Sequence, residues 1–155
     1  MEDTPATTWI LTGSPENFAA TRDHDFRVIG MKERRHRQAL TMAPGDRIVL
    51  YLTRIAAFGA ILRLTGDLFE DRTPLWPGKP GNPDPYPWRF PCEPEIVLDE
   101  DRMLAAEAVK DDLEHVRKWP AEHWRLAFQG QLRTVSQADA QLLLGRMRRE
   151  AGVTA

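Results

Sequence analysis

Three stretches of the chain are apolar almost without a break: "TTWILT" (residues 7–12), "RIVLYLT" (47–53) and "FGAILRLTG" (58–66). Each is short, rich in β-branched or aromatic residues and punctuated by Gly or Pro nearby, the pattern of buried strands. Only "RIAA" separates the last two, which predicts an antiparallel hairpin. Before them, "MAPGDR" puts Pro44 and Gly45 in a tight turn that enters a strand near Arg47. A further strand is expected from Trp88 to Leu98. Eight prolines lie between Thr73 and Pro94, a density that excludes helix and predicts a long ordered loop leading to that strand.

Helical signals lie between and after these runs. In "TGSPENF" Ser14 can cap a helix by accepting from a free backbone N–H, and Pro15 fits the first helical position. A helical patch is expected from Ala105 to Lys118. A last helix, Ser136 to Arg149, opens with Ser136 three residues before Asp139 and buries Ala140, Leu143, Leu144 and Met147 at helical spacing. Strands separated by short helices predict an α+β fold whose strands curl into a small barrel. The 155 residues suit one domain, residues 1–155.

Composition narrows the class. Glu2 and Asp3 stand where a signal peptide would be positive, and no apolar run approaches a membrane span. The single cysteine, Cys92, cannot form an internal disulfide and fits a reducing cytoplasm. Net charge is −2, yet Phe26 to Arg63 holds eight Lys or Arg against two acids, and Glu93 to Glu114 holds nine acids against two bases. One region can face a polyanion while the other repels it. The four histidines show no metal-ligand spacing, Cys92 has no neighbouring His, and no phosphate-cradling glycine loop or Ser-His-Asp order is present. Neither metal nor cofactor is expected.

"WILTGSPENF", "GMKERRHRQALTMAPGDRIVLYLT", "AFGAILRLTG", "PYPWR" and "HWRLAFQG", in this order and spacing, resemble an EVE domain of the PUA-like superfamily, related to the YTH domains that read methylated adenine. The resemblance covers nearly the whole chain. It implies a curled mixed β-barrel with flanking helices, and a pocket receiving one flipped-out modified nucleobase of DNA or RNA. A monomer is expected.

Carried onto this chain, the resemblance makes Asn17, behind Ser14, the residue at the base edge; its carboxamide both donates and accepts, as a Watson–Crick edge requires. Trp76 matches the loop aromatic that covers the base. Relatives often have Trp before the Gly of "VIGMK", where this chain has Ile29 before Gly30, so one wall is apolar. Trp9, Phe58 and Phe128 are the alternatives for a second aromatic. Phe128, Gln129 and Gly130 are expected to approach the pocket from its far side. In "KERRHR", Lys32, Arg34, Arg35 and Arg37 would neutralise phosphates beside the pocket without reading sequence. Base extrusion is implied, because neither Asn17 nor Trp76 could meet a base inside a stacked duplex.

The same segment also resembles the Gly-x-Lys-x-x-Glu-x-Arg signature of ASCH domains, PUA-like proteins that include amidohydrolases acting on modified nucleosides. Gly30, Lys32 and Arg37 match, while Arg35 stands where the Glu should be. That loss leaves a cationic groove with less sign of catalysis, so a binding module ranks above a hydrolase. A third class, a protein-interaction domain, would use the acidic stretch from Glu93 to Glu114.

Overall fold

The computed structural model describes residues 6–77, 81 and 84–152. Among them the strands are β1 (Thr8–Gly13), β2 (Val28–Met31), β3 (Arg47–Leu52), β4 (Ala57–Leu64), β5 (Phe69–Glu70), β6 (Trp88–Val97), β7 (Leu104–Ala105) and β8 (Leu132–Val135). The α-helices are α1 (Pro15–Asp23), α2 (His36–Ala39) and α3 (Gln137–Glu150). The strands form one mixed sheet in the order β2-β6-β4-β3-β1-β8, with β5 added on β6 and β7 on β4.

β1 and β3 run parallel, Thr8 opposite Arg47 through Gly13 opposite Leu52, and α1, β2 and α2 make the crossover that a parallel pair requires. β3 and β4 form the expected antiparallel hairpin. The sheet curls because β6 serves two neighbours: Cys92–Val97 pairs with β4, and Trp88–Pro91 with β2. Two register shifts sharpen the bend, leaving Glu95 unpaired between Pro94 and Ile96, and Gly59 between Phe58 and Ala60. Gly59 is needed there, since a Cβ would lie 2.8 Å from Cε2 of Phe18 on α1.

Both faces of the central strands are covered, which explains their unbroken apolar runs. Inside the curl Trp9, Leu11, Phe18, Ile29, Leu50 and Leu62 pack together. On the other face Ile10, Val49, Tyr51, Phe58 and Phe128 meet Leu143, Leu144 and Met147 of α3. That helix begins as expected, with the Ser136 hydroxyl accepting from the Asp139 N–H. None of the described helices is long and apolar enough to cross a membrane.

The helical patch expected from Ala105 to Lys118 is not a continuous helix. Leu104 and Ala105 pair with β4, and the chain then makes short 3₁₀ turns at Ala106–Ala108, Lys110–Asp112 and Val116–Lys118. The buried carboxylate of Asp139 accepts from the backbone N–H groups of Glu114 and His115, at 2.8 and 2.9 Å. Amides taken by a side chain from α3 cannot continue a helical ladder. The long loop from Thr73 to β6 is described on both flanks, while residues 78–80 and 82–83 lie outside the described residues.

Candidate functional site

The site begins where β1 turns into α1. Gly13 ends the strand, Ser14 stays extended (φ −77°, ψ 160°), and its hydroxyl accepts from the Asn17 N–H at 3.1 Å. Pro15 needs no N–H partner at the first helical position. Asn17 therefore stands one turn into α1, beside the ends of the parallel pair. An inner cavity of about 50 Å³ lies there, walled by Leu11, Asn17, Ile29, Gly30, Trp76 and Tyr86 among others. An outer cavity of about 410 Å³ shares Asn17, Tyr86 and Gln131 with it and adds Lys32, Arg34 and Gln129.

Trp76 is both wall and anchor. Its Nε1 donates to the Thr21 hydroxyl at 2.9 Å, and its six-membered ring lies against Gly30. A Cβ on residue 30 would fall 2.6 Å from Trp76 Cζ3 and 2.8 Å from the Tyr86 carbonyl, so only glycine admits the indole. The Tyr86 ring meets Trp76 edge-on (5.8 Å, 71°), and its hydroxyl accepts from Asn17 Nδ2 at 3.1 Å. Tyr86 has φ +52°, a left-handed backbone uncommon for a non-glycine residue.

Arg89 fastens this loop. Its side chain is 1% exposed, and its guanidinium donates to the carbonyls of Tyr86 (3.1 Å), Pro85 (3.0 Å) and Thr73. It also pairs with Asp71 at 3.4 Å and lies 5.1 Å over the Trp76 ring. Burial lowers the Arg89 pKa from its ordinary value, with Asp71 opposing the shift. Three donated bonds and a carboxylate are what a buried guanidinium requires.

The basic segment forms a 3₁₀ turn, Glu33–Arg35, continued by α2. Trp88 ties it to the sheet: its ring stacks on His36 (3.7 Å, 13°) and its Nε1 donates to the Glu33 carbonyl. Gln131 holds the other end, accepting from the Lys32 N–H at 2.8 Å. Arg35 is half-buried, and desolvation, then the charges of Arg34 and Arg133, lower its pKa.

The structure thus brings Ser14, Asn17, Ile29, Gly30 and Trp76 to the inner cavity, and Lys32, Arg34, Phe128 and Gln129 to the outer one. Arg35 lines neither but reaches toward Gly130, and Arg37 is exposed on α2 away from both. Of the alternative aromatics, Trp9 is buried and donates to Asp46, and Phe58 is fully buried. The Phe128 ring is stacked on Tyr51 (4.6 Å, 14°) in the core, although the residue borders the outer cavity. The aromatic ring that meets Trp76 at the pocket is Tyr86, which sequence reasoning missed along with Gln131 and Arg89. The signal was inside "PYPWR" and in the polar residue following Gly130. Part of the basic surplus is neutralised within the fold, since Arg47 and Arg63 both pair with Glu95, and Arg54 with Glu16. Cys92 is buried, with its thiol donating to the Phe26 carbonyl, and burial pushes its pKa up to about 12.

No protein-family model matches the chain, and no curated protein does. Solved structures do. The chain is similar to the Mmi1 YTH domain in complex with RNA, at 8% identity over 93% of this chain and 79% of that one, with a TM-score of 0.66. It is similar to the YTH domain of the Zygosaccharomyces rouxii MRB1 protein in complex with N6-methyladenosine RNA, at 11% identity over 97% and 90% of the two chains, TM-score 0.65. It also resembles protein PSPTO5229 from Pseudomonas syringae, at 16% identity over 90% and 99%, TM-score 0.58. The fold is YTH-like: a curled mixed sheet with flanking helices in a single small domain.

Proposed function

We propose that the protein is a reader of nucleic acid, an EVE-type domain that takes one modified base extruded from a DNA or RNA strand and works as a monomer without cofactor. The observation that carries this reading is the juxtaposition of Asn17 and the Trp76 ring in one cavity that opens onto Lys32 and Arg34. The carboxamide supplies a donor and an acceptor for a base edge, the indole a face, and the cations a track for phosphates. The likeness to YTH domains solved with RNA supports the same reading at the level of fold. A cavity of about 50 Å³ is smaller than the roughly 150 Å³ that admits benzene. Base entry therefore requires a wall to move, and displacement of the Tyr86 ring would let a base acceptor replace the phenolic oxygen at Asn17 Nδ2.

The test is a binding panel of short single-stranded DNA and RNA oligonucleotides carrying N6-methyladenine, 5-methylcytosine or 5-hydroxymethylcytosine, each with its unmodified control. A reader binds one modified member more tightly than its control and leaves it chemically unchanged. Release of a deaminated or hydrolysed product would replace this reading with the ASCH-like hydrolase. Equal, negligible affinity for every member would exclude both.

A further inference from the structure

We propose that a second nucleotide of the same strand is bound beside the base pocket, with its phosphate between Arg35 and Arg133 and its base stacked on Trp119. The inference rests on the reader function above. It starts at Gly130, on the lip of the outer cavity, where φ is +84°. The point its Cβ would occupy lies 3.4 Å from Arg35 Nη2 and 3.7 Å from Arg133 Nη2, so two guanidinium ends flank one spot.

No ion pair among the described residues involves Arg34, Arg35 or Arg133. Their described contacts go to uncharged acceptors: Arg35 Nη1 to Gln38 Oε1 at 3.0 Å, and Arg133 Nε to the Gln129 carbonyl at 2.7 Å. The Arg35 Nε is buried without a partner. By contrast Arg22, Arg47, Arg54, Arg63, Arg72 and Arg89 each have a carboxylate. Gathering like charges without a counterion is unfavourable, and a phosphate is the anion that paired guanidiniums suit best.

Arg133 leads on to the next feature. Its guanidinium lies 5.4 Å over the Trp119 ring, and Trp119 is a half-buried wall of a third cavity of about 180 Å³. Trp124, Val116, Lys110 and Arg117 also line it. Asp111 lines it too, with its carboxylate taken by Lys110 at 3.1 Å. This cavity exceeds the roughly 150 Å³ that holds a benzene ring, and two indoles line it together with Lys110 and Arg117. Stacking there would accept any base, because every base has a π-face.

The experiment uses single-stranded DNA and RNA carrying the best-bound modified base of the panel, with either a normal or an abasic nucleotide on its 5′ or its 3′ side. An abasic flank keeps the phosphate and removes the ring. On one side the wild-type protein should lose about fivefold or more in affinity when the flanking ring is removed. Trp119→Ala should lose that sensitivity while still preferring the modified base. Arg133→Gln should flatten the dependence of log affinity on log salt by about 0.7 while the preference stays intact. A wild-type protein indifferent to both abasic flanks, or an Arg133→Gln protein with an unchanged salt slope, would overturn the second subsite alone. No preference for any modified base would overturn the base pocket as well.

Discussion

Arg89 carries a positive charge into a position where its side chain is 1% exposed, and its partners include the loop carbonyls of Thr73, Pro85 and Tyr86. Arg89→Met keeps the length of the stem but leaves the carbonyls of Thr73, Pro85 and Tyr86 without this donor. Breaking a buried charged network of this kind costs about 3–5 kcal/mol, measurable by urea denaturation. Gly30 is the complementary case, a residue defined by what it leaves out. Gly30→Ala should weaken binding of the preferred oligonucleotide by tenfold or more, because the added methyl occupies the indole's place. Unchanged affinity would mean that Trp76 does not need its observed position. His115 has its Nε2 against the Ala127 carbonyl at 2.7 Å and a buried Nδ1 with no partner. Burial lowers its pKa from the ordinary 6.5, with the Ala127 bond opposing. The folded state thus resists a proton that the unfolded chain accepts. Stability should be fully present above pH 6.5, fall as the pH drops through that value, and level off once the folded imidazole protonates. Denaturation midpoints across that window should fall less in His115→Leu than in the wild type.

At the scale of elements, the strands were legible because both faces of the sheet are covered, so β1, β3 and β4 read as apolar runs without alternation. The starts of α1 and α3 were legible because Ser14 and Ser136 cap locally. The segment from Ala105 to Lys118 was not, since its course is set by Asp139, more than twenty residues further on. Tyr86 was hidden for a similar reason: a Pro-rich stretch carries no periodicity, and contacts with Arg89, Asn17 and Trp76 define where its ring goes. The turn Glu33–Arg35 belongs to this scale too. Trp88 and Gln131 pin it at both ends, so changing Arg34 and Arg35 together to Ala should leave the fold intact. Binding of modified and control oligonucleotides should weaken alike, and the salt slope should flatten by up to about 0.7 per lost phosphate contact. A double variant with its salt slope intact and its base preference lost would mean that these arginines contact the base.

For the whole molecule, a YTH-like fold is reached at 8–11% identity to the two YTH domains compared, so the architecture rests on the pattern of buried positions rather than on shared residues. Its charge is arranged to match. Arg47, Arg54 and Arg63 are neutralised within the fold, and Lys32 and Arg34 line the outer cavity. The proposed reader function requires that the cavity at Asn17 and Trp76 take the modified base. Its most direct test is the ratio of dissociation constants for one oligonucleotide with and without the preferred modification, measured in the wild type and in Trp76→Leu with the folded fraction of each checked by circular dichroism. The wild type should show a ratio of about ten or more that falls toward one in the folded variant, since the lost stacking surface is worth roughly 1–3 kcal/mol. A folded Trp76→Leu protein that keeps the full wild-type ratio would contradict it.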